Sequence, residues 1–151
     1  MVIHYPADFA AQVVDESTLV LSRNFPDGNS EVLHFASIRN PISNEVGEFA
    51  RVAGLAEARK PPDWEYREMA RTRTKCNGVP GLEILSSWKP PGTQTRSRRW
   101  WCAFVRGGQG YFFSYNTPET VAKEHEPLLR SIVDATTFGA PTALGSGARD
   151  R

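Results

Sequence analysis

Cysteine is scarce in this sequence: Cys76 and Cys102 are the only two in 151 residues, with 25 residues between them. Two cysteines cannot build a disulfide scaffold, and their spacing fits no zinc motif. Read as small buried hydrophobes, both are expected to be reduced, so that denatured protein would titrate as two free thiols. A single disulfide between neighbouring strands is the other reading. Histidine is nearly as rare, and His4, His34 and His125 belong to no H-x-H or H-E-x-x-H pattern. Each reads as a structural histidine rather than a ligand or a base. No apolar run approaches the ~20 residues that a membrane helix needs. The opening Met1-Val2-Ile3-His4-Tyr5-Pro6 has neither the basic start nor the apolar stretch of a signal peptide. On that reading the protein is cytoplasmic if Met1 is the natural start, and exported if a leader has been removed.

Catalytic signatures are missing as well. Gly107-Gly108-Gln109-Gly110 has no Lys-Ser/Thr after it and lies between two strand-like segments, so it reads as a hairpin turn rather than a phosphate loop. Gly145-Ser146-Gly147 lacks the strand and helix that flank a nucleophile elbow. The acidic residues form no compact acid–base pair. No catalytic residue, metal site or cofactor is therefore expected.

What is present is an ordinary globular composition, 40% hydrophobic and 23% charged. The length suits one α+β domain over residues 1–138, followed by a Gly-, Ala- and Ser-rich segment, 139–151, that reads as a flexible tail. The net charge is only +1, but it is unevenly spread. Residues 1–66 carry ten acidic and five basic side chains, whereas residues 67–106 carry nine basic and two acidic ones. Fourteen of the eighteen basic residues are Arg, whose planar donor fork suits carboxylates and phosphates.

Hydrophobic periodicity outlines the elements. Val2 to Tyr5 reads as a first strand stopped by Pro6, and Thr18 to Arg23 as a second. The turn formers Pro26-Asp27-Gly28 lead into Val32 to Ile38. A helix follows, capped by Ser43 or Asn44, with Val46, Phe49, Ala50 and Ala53 on one face. From Trp64 the period becomes two, placing Arg67, Met69, Arg71, Arg73 and Lys75 on one side of a strand that ends at Cys76. Asn77-Gly78 signals a hairpin, lengthened by Pro80-Gly81, before a strand from Leu82 to Trp88. Arg98 to Arg106 is apolar on both faces and reads as a central strand, and Tyr111 to Tyr115 returns beside it. Thr117-Pro118-Glu119 looks like a helix start. Val121, His125, Leu128, Leu129 and Ile132 share a helical face, with a kink or a second helix expected at Pro127.

This order, with Tyr5-Pro6 near the start, Asn77-Gly78-Val79-Pro80-Gly81-Leu82-Glu83 before the long paired strands, and Gly110-Tyr111-Phe112-Phe113-Ser114-Tyr115 before a final helix ending near Phe138, resembles the PsbP-like superfamily. That group includes the oxygen-evolving PsbP proteins, the nuclear import factor that binds the GTPase Ran, and bacterial chaperones of type VI secretion effectors. The resemblance is one of layout over about residues 2–138. It implies an α/β/α sandwich around a mostly antiparallel sheet of six to seven strands, and members that mainly bind other proteins. It carries over no functional residue.

Function then rests on the basic block. Arg71, Arg73, Arg98 and Arg99 are the candidate partner-binding residues. The favoured reading is a non-enzymatic adaptor or chaperone-like module whose partner is another protein, with homodimerisation left open. The alternative is a nucleic-acid or anionic-ligand binder, since sheets that bind single strands combine positive charge with aromatic platforms. A weaker alternative is an enzyme whose site one sequence does not reveal.

Overall fold

A computed structural model describes residues 2–39 and 62–138. They form a seven-stranded, wholly antiparallel sheet with one helix packed on it, an α+β arrangement. The strands are β1 (Ala10–Asp15), β2 (Thr18–Asn24), β3 (Ser30–Arg39), β4 (Arg67–Cys76), β5 (Val79–Trp88), β6 (Ser97–Arg106) and β7 (Gln109–Pro118). Their spatial order is β1-β2-β3-β7-β6-β5-β4, so β1 and β4 are the two edges. The helix, α1, spans Ala122–Ala135. The helix expected at 43–54 and the tail expected at 139–151 lie outside the described residues.

Two glycine turns set the register of the long hairpins. Asn77 and Gly78 both hold positive φ, 49° and 76°, and join β4 to β5 directly through the Cys76–Val79 pair. A turn with two left-handed residues matches the twist of the flanking strands. The longer loop expected there is absent, because Pro80 lies inside β5 opposite Lys75. Pro80 is exposed, where a missing donor costs little. Gly107 and Gly108, at φ 59° and 73°, do the same between β6 and β7.

The helix side of the sheet holds the larger core. Leu21, Leu33, Phe35, Trp100, Phe104, Phe113 and Tyr115 pack there with Leu129, Ile132 and Val133 of α1. Full burial of aliphatic side chains such as these three contributes roughly 1.5–3 kcal/mol each. On the other side Leu82, Ile84, Trp101 and Ala103 form a second cluster. β6 feeds both, as its doubly apolar pattern implies.

Several expectations need correction. Val2 makes only an isolated bridge to Thr137, and the true first strand, β1, comes later. Thr117 and Pro118 end β7 rather than starting the helix, and Val121 precedes α1 without a side-chain cap. No second helix starts at Pro127, which is exposed within one continuous helix. Asn77 instead holds the helix end, its amide donating to the carbonyls of Val133 and Thr136 at 2.8 Å each. Such side-chain donors satisfy carbonyls that the last turn leaves without a helical partner.

The cysteines are also corrected: Cys76 and Cys102 are joined, with their Cα atoms 6.6 Å apart, and neither is free. They sit on β4 and β6, so the bond passes over β5. Gly81 of β5 makes room for it. A Cβ there would meet Cys76 Sγ at 2.6 Å and the Ala103 carbonyl oxygen at 2.8 Å. Gly81→Ala is expected to destabilise the protein by about 1–3 kcal/mol, the usual range for overpacking. An unchanged thermal melt would show that the crossing is looser than this.

Candidate functional site

The predicted arginines do not converge on one spot. Arg71 and Arg73 lie on edge strand β4, opposite Ile84 and Leu82 of β5, and so on the side of the sheet away from the helix. Arg98 and Arg99 are neighbours in β6 and therefore point to opposite sides. Arg99 joins the side that carries Arg71 and Arg73, two strands and roughly 10 Å across the sheet. Arg98 faces the helix side.

Their surroundings differ too. Arg98 reaches Glu119 at 3.1 Å. Arg99 stacks over the Trp88 ring, 4.7 Å from its centre, and donates to Asn116 Oδ1 at 2.5 Å. Burial pushes the Arg99 guanidinium down to about 10, so it stays charged at neutral pH. Both side chains are held inside the molecule's own contacts. Arg71 is exposed and pairs with Glu68 through two 2.8 Å bonds. The simple alternation of β4 did not foresee that pair. A register shift between Glu68 and Ala70 puts Glu68, rather than Arg67, on the Arg71 side. Arg73 and Lys75 are exposed and make no hydrogen bond or ion pair with the described residues. On the side of the sheet away from the helix, β4 thus presents the exposed row Arg71–Arg73–Lys75, while Arg67, also exposed, falls on the helix side.

His34 lies on the same side of the sheet as Arg99. Burial, and then the charge of Arg99, lower it from the usual 6.5. The sign follows from linkage. His34 stays neutral in the folded protein at pH values where the unfolded chain already takes up a proton. The contribution is complete above pH ~6.5 and is lost as pH falls through the depressed value. An NMR titration should place His34 below 6.5. Arg99→Gln should raise it part of the way back, leaving the larger effect of burial. A value in Arg99→Gln equal to that of the parent would remove Arg99 as a cause.

A constellation that sequence reading missed lies on the helix side. Glu31 is completely buried, and its carboxylate accepts hydrogen bonds from Arg23 and from the Tyr115 hydroxyl, with His125 Nδ1 at 3.0 Å. Arg23 also binds Asp8 at 2.5 Å and lies over the rings of Phe9 and Phe25. His125 stacks on Phe25. Burial, together with the bond to Glu31, pushes the Tyr115 hydroxyl well above the ordinary tyrosine range. Glu31 is enclosed by its own donors, an arrangement that locks elements together. It joins the N-terminal segment, β2, β3, β7 and α1 at one point. The only sequence signal was a glutamate at a core-facing position of β3. Among the described residues no group of three or more His, Cys, Asp or Glu could hold a metal ion. No described helix is long and apolar enough to cross a membrane.

No family model matches the chain. No characterised protein matches it by sequence either. Solved structures do match. A Pseudomonas aeruginosa protein of unknown function, proposed to be a regulator, superposes with a TM-score of 0.65 at 11% identity, over 89% of this chain and 100% of its own. LpqN, involved in cell envelope biogenesis of Mycobacterium tuberculosis, gives 0.59 at 9% identity over 92% and 82%. The Ran-binding protein Mog1p of Saccharomyces cerevisiae gives 0.55 at 12% identity over 87% and 86%. At these identities the likeness is one of fold, and the fold of this chain is Mog1/PsbP-like.

Proposed function

We propose that this chain is a non-enzymatic protein-binding module, of adaptor or chaperone kind, that presents the basic row of β4 to an acidic surface of its partner. The observation that carries this reading is the row itself. Arg71, Arg73 and Lys75 stand exposed on one side of an edge strand, and Glu68 is the one acid among the described residues that pairs with any of them. Arg98 and Arg99, tied to Glu119, Trp88 and Asn116, shape the sheet beside the row rather than reach out from it. A protein partner also agrees with the shared fold of Mog1p, which binds Ran.

The test is a variant with Arg71, Arg73 and Lys75 all changed to Ala, compared with the parent in affinity capture and in a thermal melt. Exposed substitutions change stability by within ~0.5 kcal/mol each, whereas an arginine anchoring an interface can cost ~2 kcal/mol or more in binding. The expected result is loss of the captured protein with a melt nearly unchanged. A variant that keeps every partner removes the row from the site. The nucleic-acid reading is separated by salt. Phosphate contacts release counterions, so affinity would fall steeply with added salt and the variant would flatten that slope.

A further inference from the structure

The two edges of the sheet are built differently. β4 carries Arg67, Glu68, Arg71, Arg73 and Lys75, and charged edges discourage strand pairing. β1 reads Ala-Ala-Gln-Val-Val-Asp, with no charge before Asp15, and all six residues are exposed. Val13 is 74% exposed and Val14 56%, the two highest values among the exposed large hydrophobic residues. Among the described residues β1 pairs only with β2, and no strand lies beyond it. Through the register, Ala11 and Val13 continue the apolar row of Leu21 and Leu19, while Gln12 lies on the other side. An added strand could therefore extend the same alternation.

Charge selects the occupant. Asp15 and Glu16 sit at one end of β1, and neither pairs with a cation among the described residues. Asp8 lies at the other end, against Arg23. A second copy pairing antiparallel would set Asp15 and Glu16 of each chain beside Asp8 of the other. A parallel copy would set them beside their own counterparts. The parallel arrangement repels, since like charges directly opposite are destabilising. The antiparallel one offers Asp15 and Glu16 no cation, because Arg23 beside Asp8 is already engaged by Asp8 and Glu31. We infer that β1 accepts an extended segment of another protein, added antiparallel as an eighth strand, with alternating apolar side chains and a basic N-terminal end that lies against Asp15 and Glu16. This surface is separate from the row on β4, so the fate of one proposal leaves the other standing.

The probes are the acetylated and amidated peptide Lys-Lys-Val-Thr-Val-Thr-Val, its twin beginning Glu-Glu, and a form N-methylated on alternate residues. The readout is hydrogen-exchange protection of the β1 amides in the intact chain. The basic peptide should protect Ala10 to Val14 and bind more tightly than its acidic twin. Exposed ion pairs support a preference of about two- to fivefold. The N-methylated form should lose tenfold or more, since each backbone hydrogen bond is worth ~1 kcal/mol. Glu16→Lys, at an exposed turn position, should erase or reverse the charge preference without moving the melt. Val13→Lys should weaken both peptides. Protection elsewhere on the sheet, or equal binding of the methylated form, would overturn the proposal. So would protection of β1 that grows with protein concentration alone, which would make a second copy the occupant.

Discussion

Glu31→Ala should lower stability by about 3–5 kcal/mol, the range for removing one partner of a buried ion pair. Glu31 is wholly enclosed, and its loss leaves the Arg23 guanidinium, the Tyr115 hydroxyl and His125 facing a hole. For a domain of this size that is a fall in melting temperature of about 6–20 °C. Glu31→Gln keeps the shape and one acceptor, so it should cost less. The double variant Glu31→Ala, Arg23→Ala should cost less than the sum of the two singles, because it removes the stranded charge together with its partner. If Glu31→Ala melts within a degree of the parent, the network is not what holds α1 to β2, β3 and β7.

Removing the link between Cys76 and Cys102 is the other large change. The bond closes a loop of 26 positions. In the chain-entropy picture this restricts the unfolded state by about 3.5 kcal/mol. Changing both residues to Ala should lower the melt accordingly. Reductant should do the same to the parent and leave the double variant unmoved. Both sulfur-bearing residues are buried, so reduction of the folded protein should be slow. Thiol titration of denatured, unreduced protein should find no free group. Two free thiols would restore the reduced reading drawn from sequence and leave Cys76 and Cys102 as packed neighbours. Gly81→Ala then serves as an internal check, since its clash is chiefly with the Cys76 sulfur and the Ala103 carbonyl.

What the sequence determined by itself is whatever depends on neighbours along the chain. β6 announced a central strand, because Trp100, Cys102 and Phe104 alternate with Trp101, Ala103 and Val105, and the structure buries both rows apart from the partly exposed Val105. Leu129 and Ile132 marked the buried face of α1, and the Asn77-Gly78 and Gly107-Gly108 pairs marked the hairpins, although the first turn is tighter than Pro80-Gly81 suggested. The hairpin order that follows from these is enough to specify an antiparallel α+β fold.

Other features depend on pairing across the sheet, which leaves no periodic trace. β1 is exposed throughout and rich in Ala, so only its ladder to β2 makes it a strand. The shift between Glu68 and Ala70 reverses the side on which every earlier residue of β4 falls, and it decides that Arg71 meets Glu68. Adjacent arginines in β6 looked like a cluster, but the pleat divides them. The Glu31 network gathers Arg23 and His125 from positions 102 residues apart. The cysteines lie on strands that are not adjacent, and their meeting required a glycine in the strand between. In each case local preference was weak, and contacts between segments distant in sequence determined the result.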